Sequence, residues 1–177
     1  MSEHALSEKP SPLARNPLDM IASAHAVQVQ MCDAMERIAD GLPDEVDRRL
    51  CAQVASCLQF DLPLHHHDEE EGLFPLLQKR AKPEDGLDQI LARLAAEHSS
   101  DNDFASEIAE ALESLGQGGR PANPEMLGYM LRGFFERYRR HIHWENQLVM
   151  PLARLRLTRE DLDQLQATMN ENRRQAG

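Results

Sequence analysis

Two short segments of this chain repeat one pattern, in which a histidine precedes a glutamate by four residues and a proline closes the segment. The segments run from His65 to Pro75 and from His141 to Pro151. On an α-helix, residues four apart lie on the same face, so each segment would aim an imidazole and a carboxylate at one point. Comparing the two segments also selects His65 and Glu69 from the run HHHDEEE. The pattern therefore predicts a metal site that is built from two equivalent halves.

The composition favours one helical domain. The 177 residues, of which 41% are hydrophobic, are enough for a single core, and the good helix formers Leu, Ala, Glu, Gln, Arg and Met are abundant. The 30 acidic and 19 basic side chains give a formal net charge of -11. That charge would repel phosphate backbones and anionic lipid headgroups. We therefore expect neither nucleic acid nor a membrane surface as a partner.

Targeting signals and cysteine usage both point to a cytoplasmic protein. No stretch approaches the run of about 18 apolar residues that a membrane span requires, and the segment MSEHALSEKPSPLAR lacks the apolar core of a signal peptide. Cys32, Cys51 and Cys57 form no C-x-x-C pair. They are expected to be reduced thiols that are mostly buried.

Prolines, glycines and capping residues divide the chain into helices. The predicted helices span residues of about 17–40, 44–80, 82–115, 123–154 and 159–172. Pro63 should kink the second helix just before His65. Long helices joined by short connections predict an all-α fold, an up-down antiparallel four-helix bundle. We assign residues 1–15 to a disordered leader, 16–155 to the bundle and 156–177 to a short extra C-terminal helix and tail.

Two further histidines complete the halves of the predicted site. His25 and His98 lie on the apolar stripes of the first and third helices. His25 precedes His65 by 40 residues, and His98 precedes His141 by 43, so the two halves correspond. The candidate metal ligands are His25, His65, Glu69, His98, His141 and Glu145.

This ligand set predicts two metal ions. Four imidazoles and two carboxylates exceed what one closed zinc site needs and suit two borderline-hard ions that lie close together, with the glutamates as bridges. We expect two iron ions, with manganese or zinc as alternatives. Two divalent ions would outweigh the charges of Glu69 and Glu145, so a bridging oxide or hydroxide is also expected.

The other polar residues of the two segments are predicted to have ordinary roles. Three histidines point about 100° or more away from the candidate ligands on an ideal helix; these are His66, His67 and His143. Glu70 and Glu71 are expected to be outward charges that could steer cations. Trp144 and Tyr138 are expected to be packing residues, and a hydrogen bond from Tyr138 near the metals is the alternative.

At these residues the chain resembles the haemerythrin-like HHE cation-binding proteins. The resemblance is carried by His25, the segment 65–75, the pair Glu97-His98 and the segment 141–151. It covers residues of about 17–155. It implies a four-helix bundle that holds a non-haem di-iron centre.

Two positions separate the chain from the oxygen-carrying haemerythrins. Those proteins place a second histidine four residues after the third-helix histidine, where this chain has Asn102, and an aspartate five residues after the fourth-helix histidine, where this chain has Asn146. The set of four histidines and two glutamates is instead similar to that of the di-iron iron-centre repair proteins, which are linked to nitrosative stress and damaged iron-sulfur clusters. Those proteins usually carry a cysteine-bearing N-terminal domain, whereas the leader here has no cysteine.

Three functions are compatible with such a centre, and the first is favoured. It is the binding or sensing of a small diatomic ligand, O₂ or NO. The second is a redox enzyme acting on O₂, peroxide or NO, which would need a reductase partner because the sequence shows no flavin or nicotinamide fingerprint. The third is an iron donor or repair-type protein. Ferritin-type chemistry is disfavoured because no histidine follows a glutamate by three residues. A monomer and a homodimer both remain open.

Overall fold

The computed structural model describes residues 16–176, which are helical with short connections. The predicted leader, residues 1–15, lies outside the described residues. Five helices form the fold: α1 (Pro17–Gly41), α2 (residues 48–80), α3 (Leu87–Gly116), α4 (residues 124–156) and α5 (Arg159–Ala176). The prediction of an all-α helical bundle is confirmed. None of the described helices is both long and apolar enough to cross a membrane.

The four long helices run antiparallel to their neighbours. Along α1 and α4, Asp40 pairs with Arg132 and Asp19 pairs with Arg154, so the two helices run in opposite directions. Contacts between α2 and α3 follow the same rule, because Gln59 lies opposite Glu113 and residues farther along α2 meet earlier residues of α3.

Local sequence signals set the helix starts. Asn16 and Asn123 each accept a hydrogen bond from a backbone amide of the first turn, and a proline follows each of them. The second helix begins at residue 48 and not at 44, because Asp47 is the residue that caps it. The third α-helix begins at Leu87, after a 3-10 turn at Pro83–Asp85, because Gly86 adopts φ 60° and so interrupts the right-handed helix.

Prolines convert three turns of α2 and α4 to π-helix. The π turns are Cys57–Asp61, Glu69–Leu73 and Glu145–Val149, and each begins six residues before a proline. Proline has no amide hydrogen for the carbonyl four residues earlier, and its ring crowds that carbonyl, so the preceding residue bonds back five positions instead. Where the sequence predicted a kink at Pro63, the structure has the π turn Cys57–Asp61 just before the proline. A π turn followed by a proline also occurs in both His-x-x-x-Glu segments, where it begins at Glu69 and at Glu145.

A polar layer divides the core into two apolar clusters. One cluster contains Met35, Leu112 and Phe134, and the other contains Leu18, Leu77 and Leu91. Between them lie buried imidazoles and carboxylates. The three cysteines are buried and free, as predicted.

Helix α5 packs across the end of α2 that carries the second π turn. A Cβ on Gly72 would lie only 2.7 Å from Leu165 Cδ1, so glycine permits this close approach. Arg80 binds the Asp161 carboxylate through two nitrogens, at 2.8 and 3.1 Å. At the other end of α5, Arg173 Nη2 donates to Asp68 at 2.9 Å. The last helix therefore covers the segment that bears His65 and Glu69.

Candidate metal centre

The structure brings all six candidate ligands into the polar layer at the middle of the bundle. α1 supplies His25, α2 supplies His65 and Glu69, α3 supplies His98, and α4 supplies His141 and Glu145. Their exposed fractions run from 0% to 4%. The two glutamates are the first residues of the second and third π turns.

The Glu69 carboxylate lies between histidines of three helices. Its Oε1 is 3.4 Å from His25 Nε2. Its Oε2 is 3.5 Å from His65 Nε2 and 3.4 Å from His98 Nε2. The two oxygens of this carboxylate therefore face different histidines.

Glu145 is arranged in the same way from the opposite helix. Its Oε2 is 3.2 Å from His25 Nε2. Its Oε1 is 3.0 Å from His141 Nε2 and 3.5 Å from His98 Nε2. Both carboxylates are completely buried. Each lies between His25 on one side and His98 on the other.

Several of these buried atoms have no hydrogen-bond partner among the described residues. They are His65 Nε2, Glu69 Oε2 and both carboxylate oxygens of Glu145. Leaving such groups unpaired inside a protein is costly, and native structures rarely do so without a functional reason. Imidazole nitrogens and carboxylate oxygens are the donors that iron, manganese and zinc take in proteins. The donor set therefore fits metal ions.

Without a metal, protons partly take the place of cations in this site. Burial and then the neighbouring Glu145 charge raise the pKa of Glu69 to about 7. Burial would also raise the pKa of Glu145, but the imidazoles close to it, first that of His141, outweigh burial and hold this pKa well below its usual range. Burial opposes protonation of His25, yet the nearby carboxylates of Glu145 and Glu69, at 3.2 and 3.4 Å from its Nε2, raise its pKa to about 10. Metal binding must therefore release protons.

Three imidazoles are held from behind by polar side chains of other helices. The Nδ1 atoms of His25 and His98 donate at 2.8 Å to Asn146 and Glu70, respectively. His141 Nδ1 donates to Glu97 at 2.9 Å. Metal-binding histidines commonly donate their second nitrogen in this way, which fixes the tautomer and leaves Nε2 for the metal. Glu70 is therefore not the free outward charge that the sequence predicted.

His66, which the sequence placed about 100° from the candidate ligands, is buried beside them. Asn102 Oδ1 accepts from His66 Nδ1 at 2.8 Å, and the Tyr138 hydroxyl donates to His66 Nε2 at 3.1 Å. The His66 ring stacks on His98 with centroids 3.9 Å apart and planes 9° apart. Nitrogens of His66, His98 and His141 lie close enough together to form a three-histidine cluster. The rings of His66 and His98 are nearly parallel, however, so their in-plane lone pairs cannot both point at one ion. Tyr138 thus has the hydrogen-bonding role that the sequence left as the alternative.

Sequence neighbours of the candidate ligands supply most of this surrounding shell. His66 follows His65, Glu70 follows Glu69, and Asn146 follows Glu145. This adjacency is a signal that sequence reasoning could have used, since a bundle helix directs more than one narrow stripe toward its neighbours. His67 and His143, which were predicted to point away from the candidate ligands, are exposed, and so is Glu71, which was predicted to be an outward charge.

The two sides of the site differ in their surroundings. Around His98 and His141 the space is filled: Phe74 stacks on His98 at 5.8 Å, and Tyr138 stacks on His141 at 5.5 Å. On the other side, His65 borders a cavity of about 310 Å³. The cavity lies between α1, α2 and α5, and Met169 of α5 forms part of its wall.

Comparison with known proteins agrees with this geometry. A family model described as the hemerythrin HHE cation binding domain matches residues 16–153. The match includes α1 to α3, most of α4 and all six residues of the candidate centre, and it ends before α5. A search of curated proteins finds no significant match.

Proposed function

Because the chain belongs to the hemerythrin HHE cation-binding domain family, we propose that it holds two iron ions and binds or senses a small diatomic ligand, O₂ or NO. The buried histidine and glutamate groups make it a metal-binding protein. His25, His65, His98 and His141 would be terminal ligands, and Glu69 and Glu145 would bridge the ions. Such an iron pair would supply the electrons and the open coordination position that diatomic ligands need.

The arrangement of the two carboxylates carries this proposal. Each places one oxygen near His25 and the other near His98. Because neither oxygen of Glu145 has a hydrogen-bond partner in the described part of the chain, this side chain is available to two cations at once. A single ion would leave one side of the donor set unused.

The surrounding residues would keep water away and hold the ligands in place. Apolar clusters close the polar layer above and below, and exclusion of water protects ferrous iron from oxidation. Asn146, Glu70 and Glu97 fix three of the imidazoles. The aromatic packing around His98 and His141 leaves the cavity beside His65 as the side from which a ligand could approach.

Iron handling is less well supported. The sequence offered Glu70 and Glu71 as acids that could steer iron at the mouth of the site. Glu70 instead binds His98 Nδ1, which gives it a positioning role. A redox enzyme remains an outcome of the experiment below.

The test begins with the chain loaded with ferrous iron without air. We expect two irons per chain and a charge-transfer band that forms when O₂ or NO is added and disappears when the gas is removed. Irreversible oxidation would instead indicate redox turnover or iron handling. Glu69→Ala and His141→Ala should lose iron, while His67→Ala, at an exposed neighbouring position, should keep both ions. Retention of two irons by the first two variants would overturn the proposed site.

A further inference from the structure

Gln28 is a buried polar residue beside the candidate centre that the ligand set does not use. Its side chain is 2% exposed. It follows His25 by three residues on α1, so the two side chains share one face of the helix. Its amide oxygen Oε1 is buried and has no hydrogen-bond partner among the described residues.

Packing does not explain a glutamine at this position. Burying an amide oxygen without a partner lowers stability, and a leucine of similar size would avoid that cost. The neighbouring residues on the same face of α1 are apolar, with Ile21 before His25 and Met31 after Gln28. An unpaired polar group that interrupts an apolar face is typical of a functional position.

The cavity beside the centre shows what the amide faces. Gln28 and His65 both line the cavity of about 310 Å³, whose wall is otherwise largely apolar and includes Met20, Ala24 and Met169. A second buried polar group of the wall, Asp68, is already bound by Asn172 and Arg173. Gln28 therefore presents to this space a hydrogen-bonding group that none of residues 16–176 uses.

We propose that Gln28 hydrogen-bonds the exogenous ligand on the His25 and His65 side of the centre, and that it favours small ligands with hydrogen-bonding atoms over apolar ones of the same size. This inference rests on the proposed function, because the ligand binds to the iron pair. The amide can serve ligands of either kind, since Oε1 accepts from a protonated ligand and the amide nitrogen donates to an anion. Gln28 lies one helical turn from His25, so its side chain lies on the same side of the centre as His25.

Azide is the probe, since it is a small anion that can accept a hydrogen bond from the amide nitrogen of Gln28. The iron-loaded protein is oxidised and titrated with azide, with the optical spectrum as the readout. Loss of one hydrogen bond should raise the Kd for azide about tenfold in Gln28→Leu. Gln30→Leu is the matched control, because Gln30 lies on the same helix and is exposed; its Kd should equal that of the wild type.

The thermal stability of the metal-free protein separates this role from a structural one. Removing an unpaired buried amide should leave the Tm of metal-free Gln28→Leu at or above that of the wild type. A clear drop in Tm would mean that Gln28 supports the fold, and it would overturn the inference. Gln28→Met, which keeps the side-chain length, provides the same two measurements if the leucine variant folds poorly.

The outcomes also distinguish this inference from the proposed function. An unchanged Kd for azide in a Gln28→Leu protein that holds two irons would overturn the role of Gln28 and leave the di-iron proposal intact. Absence of azide binding by the iron-loaded wild type would overturn it as well. If the wild type takes up no iron, the proposed function itself fails, and the inference fails with it.

Discussion

Replacing Glu97 with alanine should weaken iron binding by about tenfold at alkaline pH, and by less at pH 7, while the fold is kept. Glu97 Oε2 accepts from His141 Nδ1 at 2.9 Å, and Arg93 binds the other carboxylate oxygen at 2.8 Å. The carboxylate therefore holds the His141 ring with its Nε2 toward Glu145. Without this acceptor, the ring is free to turn, and its metal-binding nitrogen is less basic.

The expected magnitude follows from the contact and its exposure. A hydrogen bond to a charged group contributes roughly 1.5–3 kcal/mol, and loss of a residue behind a metal ligand costs about 10–100-fold in affinity. Glu97 is 28% exposed, so solvent screens its charge and the lower end applies. That is about 1.4 kcal/mol, or a factor of about ten.

Protons compete with the metal for His141, so the loss of iron affinity in Glu97→Ala should depend on pH. Burial opposes protonation of this histidine, but the close Glu145 carboxylate and the hydrogen bond to Glu97 raise its pKa to about 9. Glu97→Ala should lower that pKa, which eases metal binding at pH 7 and offsets part of the loss. The full tenfold loss should therefore emerge only above about pH 9, where the imidazole is neutral in both proteins.

The assay is competition for ferrous iron against a chelator, without air, at pH 7 and at pH 9.5. Glu97→Gln keeps an acceptor and should fall between wild type and Glu97→Ala. Glu107→Ala removes an exposed carboxylate from the same helix and is the control. If Glu97→Ala and Glu107→Ala bind iron equally at both pH values, Glu97 does not position His141.

Three further predictions concern stability. Tyr138→Phe keeps the stacked ring but removes the hydroxyl that donates to His66; urea unfolding should show a loss of about 1 kcal/mol, and no loss would mean that the hydroxyl contributes nothing. The pKa of His25 is raised to about 10. The stabilisation that protonated His25 gives the metal-free fold is fully present below pH 6.5 and is lost as the pH rises through 10. The Tm of the metal-free protein should therefore fall over that range, while the Tm of the iron-loaded protein should not. Gly72→Ala would push against Leu165 and should cost about 1–3 kcal/mol in the same urea assay, whereas an unchanged midpoint would show that α5 shifts freely.

Helical periodicity explains why the sequence could place six side chains together. The four-residue spacing in each His-x-x-x-Glu pair depends only on backbone geometry. Caps at Asn16 and Asn123 also follow from local chemistry. These features need no knowledge of which helices are neighbours, so sequence reasoning could reach them.

His66 shows where the same reasoning stopped. An ideal helix places it about 100° from His65, and a narrow inward stripe would leave it outside. α2, however, packs against α1, α3 and α5, so its buried face extends over both neighbours of His65. Whether a residue at that angle meets solvent, Asn102 or Tyr138 depends on the helix beside it, and spacing along one helix carries no such information.

Asn146, Glu70 and Glu97, the residues that hydrogen-bond Nδ1 of candidate ligands, show why the centre and the bundle should depend on each other. Each lies next to a candidate ligand in sequence but holds a histidine of a different helix: Asn146 of α4 holds His25 of α1, Glu70 of α2 holds His98 of α3, and Glu97 of α3 holds His141 of α4. A shift of one helix by a turn, about 5.4 Å, would therefore break one of these hydrogen bonds and displace a metal ligand at the same time. Correct helix register and a complete donor set are thus one condition, and metal bound to that set would stabilise the registered bundle over any shifted one.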